Sequence, residues 1–248
     1  MEDSTYNETF LPLRFFLNQV AVHCPSCNKK GYVKTDIPPV AEQEKIFEVF
    51  VDCGTYYSPY RWSTACFLCC SCSKRIEFDK ASSLKTWHGP IIATAEASCP
   101  ACMALGYKQR IPAKKTVIKK AITLPTSTKL SCNKCNTKVD AEWKYTPNYS
   151  AMVPTDPIFG LALFAQQTLG KHIVWVYNCE HLNHMKAYIQ ATQRKTSFTI
   201  LTGGHGDLQR LDSRHDILSF SQTLPTWMKA KSNRSAVLKA LEDLKQKV

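Results

Sequence analysis

Two copies of one cysteine pattern organise the first 150 residues of this 248-residue chain and limit what it can fold into. Cys24-Pro25-Ser26-Cys27 is followed after three residues by Gly31-Tyr32, and Cys99-Pro100-Ala101-Cys102 is followed at the same spacing by Gly106-Tyr107. Each is answered downstream by a second CxxC with a shared tail: Cys69 and Cys72 lead into Arg75-Ile76-Glu77, Cys132 and Cys135 into Lys138-Val139-Asp140. The four pairs therefore group as two duplicated units.

A CxxC turn aims two thiolates at one point, and two such turns brought together give the tetrahedral sulfur cage that Zn2+ takes in closed, structural sites. The spacing predicts two zinc ribbons and two structural Zn2+ ions, held by Cys24, Cys27, Cys69 and Cys72 and by Cys99, Cys102, Cys132 and Cys135. Between the turns lie 41 residues in the first unit and 29 in the second, so the first carries an insertion. Cys66 and Cys69 also form a CxxC, which leaves the first register open on spacing alone. The basic, β-branched, acidic triplet after the last cysteine favours Cys69 and Cys72. Cys53, Cys66, Cys70 and Cys179 are left over as small apolar residues.

Paired cysteines also serve as disulfide frameworks in short secreted chains. Here Met1-Glu2-Asp3-Ser4 is acidic and polar, unlike a secretory signal, and no run approaches the ~18 apolar residues of a membrane span. The expectation is a cytoplasmic chain with reduced thiols and no membrane association. A thioredoxin-like redox pair belongs at a helix start in a βαβ pattern, and four matched CxxC motifs in β-rich surroundings argue against it.

The formal net charge is +12, which eight thiolates and two Zn2+ lower to +8. Its distribution says more: residues 1–80, 81–150 and 151–248 carry −1, +8 and +5 before that correction. The two ribbons have diverged in surface chemistry. Lys108, Arg110, Lys114, Lys115, Lys119 and Lys120 fall where the second ribbon's hairpin should lie, a density of like charge that suits a phosphate backbone. The alternative is a solvated strand edge guarded by lysines against aggregation. The insertion, roughly residues 36–59, mixes Glu42, Glu44 and Glu48 with Phe47, Phe50, Tyr56 and Tyr57. It reads as a protein-facing hairpin or as a strand face packed on the ribbon.

The domain reading is 10–85 for zinc ribbon 1 with its inserted hairpin, 86–148 for the basic zinc ribbon 2, and 155–248 for a C-terminal module, with a proline-bearing linker through residues 146–157. In that module Leu161–Thr168 and Ile173–Tyr177 are strand-forming around a Gly170-Lys171 turn. Asn178 caps a helix expected to run to about Arg194 with Leu182, Met185, Tyr188 and Ile189 on one face. Pro225 opens a short helix, and Val237, Leu238, Leu241 and Leu244 mark a final one. The fold class is α+β: two small β zinc ribbons from an internal duplication, followed by a β-hairpin and helices. Cys179, His181 and His184 could form a third metal site, although a His pair at a helix start also packs as a capped pair. His205, Asp207, Asp212, His215 and Asp216 could supply acid-base groups or metal ligands, or lie in a surface loop.

Trp175-Val176-Tyr177-Asn178, Glu180-His181-Leu182 and Leu224-Pro225-Thr226-Trp227-Met228-Lys229 followed by Asn233-Arg234, together with Trp87-His88-Gly89-Pro90, give the chain a partial resemblance to uncharacterised bacterial tandem zinc-ribbon proteins. That resemblance implies no activity. Paired ribbons also occur in replication-restart helicases, which the chain resembles in that respect alone, since it has no Walker A sequence. Rossmann, HExxH and GxSxG motifs are absent as well. The expectation is a non-enzymatic intracellular zinc protein that binds nucleic acid, DNA favoured, through its second ribbon and C-terminal module, with a protein partner in a larger assembly. The alternatives are a protein-protein adaptor without nucleic-acid contact and a metal-dependent hydrolase or nuclease.

Overall fold

Strands in this chain end where the CxxC turns begin. The structure is a computed structural model that describes residues 5–8, 13–40, 42, 64–79, 83–106, 109–118, 124–149, 153–196 and 223–248. The inserted hairpin beyond residue 42, and the loop holding His205, Asp207, Asp212, His215 and Asp216, lie outside the described residues. In chain order the strands are β1 Thr5–Glu8, β2 Gln19–His23, β3 Lys30–Thr35, β4 Ala65–Cys69, β5 Arg75–Glu77, β6 Ile91–Ser98, β7 Arg110–Ile118, β8 Ser127–Ser131, β9 Lys138–Pro147, β10 Gln166–Leu169, β11 His172–Trp175 and β12 Gln193–Thr196. They mix with helices, the longest being Cys179–Gln190 and Arg234–Leu244.

Packing divides the chain into two units, residues 1–78 with 163–248, and residues 79–162. The grouping follows contacts rather than chain order, and it joins most of the segment expected as a C-terminal module to the first tetracysteine sheet. Hydrogen bonds give the reason. Strand β2 is the outer strand of the order β2-β3-β4-β5, and its free edge is covered: Ala21 N donates to Tyr177 O at 3.0 Å, and Phe164 N donates to Ala21 O at 2.9 Å. Asn178 reinforces the join. Its Oδ1 accepts from His181 N to cap the helix, while its Nδ2 donates to Phe16 O, Asn18 Oδ1 and Gln19 O. Val20, Val22, Val33 and Phe67 are buried in this sheet, and Leu182, Met185, Ile189, Leu241 and Leu244 in the helices. Removing the fully buried Phe67 ring would cost about 3–5 kcal/mol.

The β10–β11 hairpin turns at Gly170, whose φ of 60° is the left-handed conformation such a turn needs. The helix begins after Asn178 as its sequence requires, but it ends at Gln190, not near Arg194. Residues Gln193–Thr196 extend instead and pair in parallel with β1, so a tertiary strand partner overrides the local helical periodicity.

In the second unit all four strands are antiparallel in the order β7-β6-β9-β8. The two sheets therefore differ. In the first, the inner pair is β3 and β4, the strand leaving one CxxC turn and the strand entering the next. In the second it is β6 and β9, the strand entering and the strand leaving. Burial follows the exchange. Strand β7 is exposed at every position from Pro112 to Val117, on both faces, and such a strand can only be an edge. Strand β6 buries Ile91, Ala93 and Ala95 on one face and can sit inside. The matched cysteine spacing of the two units thus does not carry over to their strand pairing.

Residues expected to form a linker are partly structural in this unit. Thr146 and Pro147 complete β9, and the fully buried Asp156 carboxylate accepts from Ile158 N, Phe159 N and Leu161 N at 2.6–2.9 Å. The loop it closes brings Gly160, at φ 67°, against Trp87, where an added Cβ would lie 2.6 Å from Gly89 N.

Candidate metal centres and basic strand

The backbone shapes each CxxC before any metal chemistry is considered. Asn28, Ser73 and Asn136, the residues after Cys27, Cys72 and Cys135, take φ of 56–58°, and the sharp reversal turns amide hydrogens onto sulfur. Ser26 N donates to Cys24 Sγ at 3.4 Å, Ser71 N to Cys69 Sγ at 3.3 Å and Lys134 N to Cys132 Sγ at 3.4 Å. The turn after Cys99 differs. Pro100–Ala104 form a short helical turn, and the left-handed residue is Gly106, φ 79°.

Four sulfurs converge in each unit. Cys24, Cys27, Cys69 and Cys72 form one group and Cys99, Cys102, Cys132 and Cys135 the other, with all Sγ atoms of a group within 4.8 Å of one another. Cys27 and Cys69 stand 3.5 Å apart and Cys24 and Cys72 3.7 Å apart. In the second group Cys99 and Cys135 stand 3.4 Å apart, Cys102 and Cys135 3.7 Å, and Cys102 and Cys132 3.9 Å. A tetrahedron of sulfurs about 2.3 Å from a central ion has edges of about 3.8 Å. The observed distances bracket that value, so each group can hold a metal ion.

Electrostatics point the same way. Amide donors from Cys72 and Ser71 pull Cys69 down to about 6, and the Thr137 hydroxyl, 3.1 Å from Cys135 Sγ, helps pull Cys135 down to about 6. Burial, then the Cys135 neighbour, pushes Cys102 up to about 12. One thiolate raises the cost of the next at these distances, and a divalent cation among them removes that conflict.

Of the remaining cysteines, Cys66 pairs with Glu77 across β4 and β5 and lies outside the first group, so the four sulfurs that meet there include Cys69 and Cys72. Cys70 and Cys179 are exposed. No third group of ligating side chains forms among the described residues. His181 is buried, stacks on Phe16 and accepts from Tyr177 N at 3.1 Å, while His184 Nε2 lies 2.5 Å from Tyr6 Oη. They are packed and hydrogen-bonded, as a capped pair would be.

Of the basic set, Lys108, Lys119 and Lys120 lie outside the described residues. Arg110, Lys114 and Lys115 are all exposed on the edge strand β7. They do not share one face. Lys115 lies opposite Thr94, which lies opposite Lys144, a row of two cations across three strands. Lys114 belongs to the other face, in a row with Ala95 and Trp143, and its Nζ stands 5.8 Å from the Trp143 ring centre. Lys144, next to Trp143 in the chain, extends the basic set onto β9, and the alternation Trp143-Lys144-Tyr145 is the signal for them in the sequence. Glu96, Asp140 and Glu142 are exposed on the same sheet, so its charge is mixed away from β7.

No protein-family model matches this chain, and neither a curated protein nor a solved structure does. No helix among the described residues is long and apolar enough to cross a membrane.

Proposed function

We propose that this chain is a non-enzymatic zinc protein that binds nucleic acid, DNA in preference, through the basic strand of its second unit. Each tetracysteine group holds one structural Zn2+ in a zinc-ribbon arrangement. All four ligands of each site are cysteine, which leaves no open position for a substrate or an activated water, so the ions serve the fold. The protein works in the cytoplasm as part of a larger assembly, with the first unit, to which the C-terminal helices belong, available to a protein partner.

The observation that carries the nucleic-acid reading is the position of β7. It is an outer strand with Arg110, Lys114 and Lys115 all exposed, and Lys115 is continued across the sheet by Lys144. Cations so placed can meet a phosphate backbone without displacing other structure, and their contacts release counterions. The test is a salt series of wild-type binding to labelled single-stranded and duplex DNA. Log affinity should fall linearly with log salt, by about 0.7–0.9 in slope for each phosphate contacted. A flat dependence would remove phosphate from the account.

A second reading, a protein-protein adaptor, draws on the tip of the Cys99–Cys102 turn, where Met103 and Leu105 are 54% and 75% exposed. An apolar tip suits a protein surface. Capture of a protein partner that persists at high salt, with no nucleic-acid binding, would favour it.

A further inference from the structure

Strand β9 outruns its neighbour β8. The β8–β9 ladder covers Ser127–Ser131 against Lys138–Glu142, while β9 continues to Pro147 with only β6 beside it. Along that open edge Trp143 N donates to Thr126 O at 3.0 Å. Because backbone groups alternate sides with a period of two, the next donor on the same edge is Tyr145 N. A groove of about 400 Å3 runs there, lined by Pro125, Thr126, Glu142, Trp143 and Tyr145 among others. The Tyr145 hydroxyl donates to Pro125 O, which fixes that ring in the wall.

We propose that this groove is a subsite for an unstacked nucleobase of single-stranded nucleic acid; the inference rests on the nucleic-acid reading above and adds a base-binding element to it. Two aromatic side chains two residues apart on one strand face give a planar ring a surface to stack on, and every base has such a face. Charge fixes the orientation of the nucleotide. Lys114 Nζ, 5.8 Å from the Trp143 ring centre, offers a cation to the phosphate of a nucleotide whose base stacks on that ring. Glu142 and Lys144 alternate with the two aromatic positions and belong to the other face of β9. The base enters and its phosphate stays outside with Lys114. A duplex keeps its bases stacked and cannot use the groove, so the subsite discriminates single strands from duplex without reading sequence strongly.

The probe is a short oligodeoxycytidylate, compared with the same oligomer carrying abasic residues and with duplex DNA, all on the zinc-loaded full chain. Wild type should lose about 10-fold or more in affinity for each stacked base removed, with the salt slope unchanged because the phosphates remain. Tyr145→Ala should reproduce the loss on the intact oligomer and leave duplex binding unaltered. Trp143→Leu, which keeps an apolar side chain against the adjoining core, should do the same, with zinc content checking its fold. Equal affinity for intact and abasic oligomers, alongside steep salt dependence, would overturn the groove while leaving the phosphate reading in place. No binding to any of the three would overturn both.

Discussion

Cys27 Sγ and Cys69 Sγ lie 3.5 Å apart although 41 residues separate them in the chain, and Cys66, three residues before Cys69, is excluded from their group. Intact-mass analysis under non-denaturing conditions should therefore find two zinc ions per chain in wild type and in Cys66→Ser, and one in Cys69→Ser. Equal zinc loss in the two variants would mean that Cys66 is a ligand or exchanges with one.

Chelation should unfold the second unit, because metal binding supplies much of the folding free energy where so small a core surrounds the site. That core is Ala95, Ile111, Leu130 and Ala141 packed around Cys99, Cys102 and Cys132. Hydrogen exchange in β6 and β9 should accelerate on chelation before exchange in the helix Arg234–Leu244 does. Simultaneous exposure of both would show that the metal holds the whole chain together.

His181 sets a pH dependence in the first unit. Burial, then the neighbouring His184 charge, pushes its imidazole down to about 3, whereas an unfolded His titrates near 6.5. Between those values the unfolded chain binds more protons than the folded one. The contribution is therefore fully present above about pH 6.5 and is lost as pH falls toward 3, at up to about 1.4 kcal/mol per pH unit. His181→Asn keeps an acceptor for Tyr177 N and removes the titration. Urea midpoints from pH 7 to 5 should fall less steeply in the variant than in wild type, and parallel slopes would contradict the assignment.

Two glycines with left-handed backbones should respond unequally to alanine. Gly160→Ala adds a clash with Gly89 and the Trp87 ring to the backbone cost and should destabilise by roughly 2–3 kcal/mol. Gly170→Ala meets nothing within 4 Å and should cost about 1 kcal/mol. Denaturation followed by tryptophan fluorescence separates them; equal losses would show that the Trp87 contact carries no weight.

What could be read from the chain divides along the same lines as its physics. CxxC turns are local, so the four sulfur pairs are legible in the chain once the triplet after the last cysteine selects Cys69 and Cys72 over Cys66 and Cys69, and so is the Asn178 cap. Strand order is not local. Nothing in the repeat distinguishes a sheet with β3 and β4 inside from one with β6 and β9 inside. The shared glycines mislead in the same way: Gly31 sits in β3 where a Cβ would lie 2.6 Å from the Phe67 ring, while Gly106 faces open space in a left-handed turn. The helix end at Gln190 depends on β1, nearly the whole chain away, and the Trp143 groove depends on where β8 starts.

The most direct measurement is the salt dependence of DNA binding in charge-reversed variants. Arg110, Lys114 and Lys115 changed to Glu should abolish binding at moderate salt with both zinc ions retained, whereas Lys29→Glu with Lys30→Glu in the first unit should leave affinity and slope nearly unchanged. Each single neutral substitution on β7 should lower the magnitude of the slope by about 0.7–0.9 if its cation meets a phosphate. Undiminished binding by the β7 variant, or equal losses from the two units, would contradict the account.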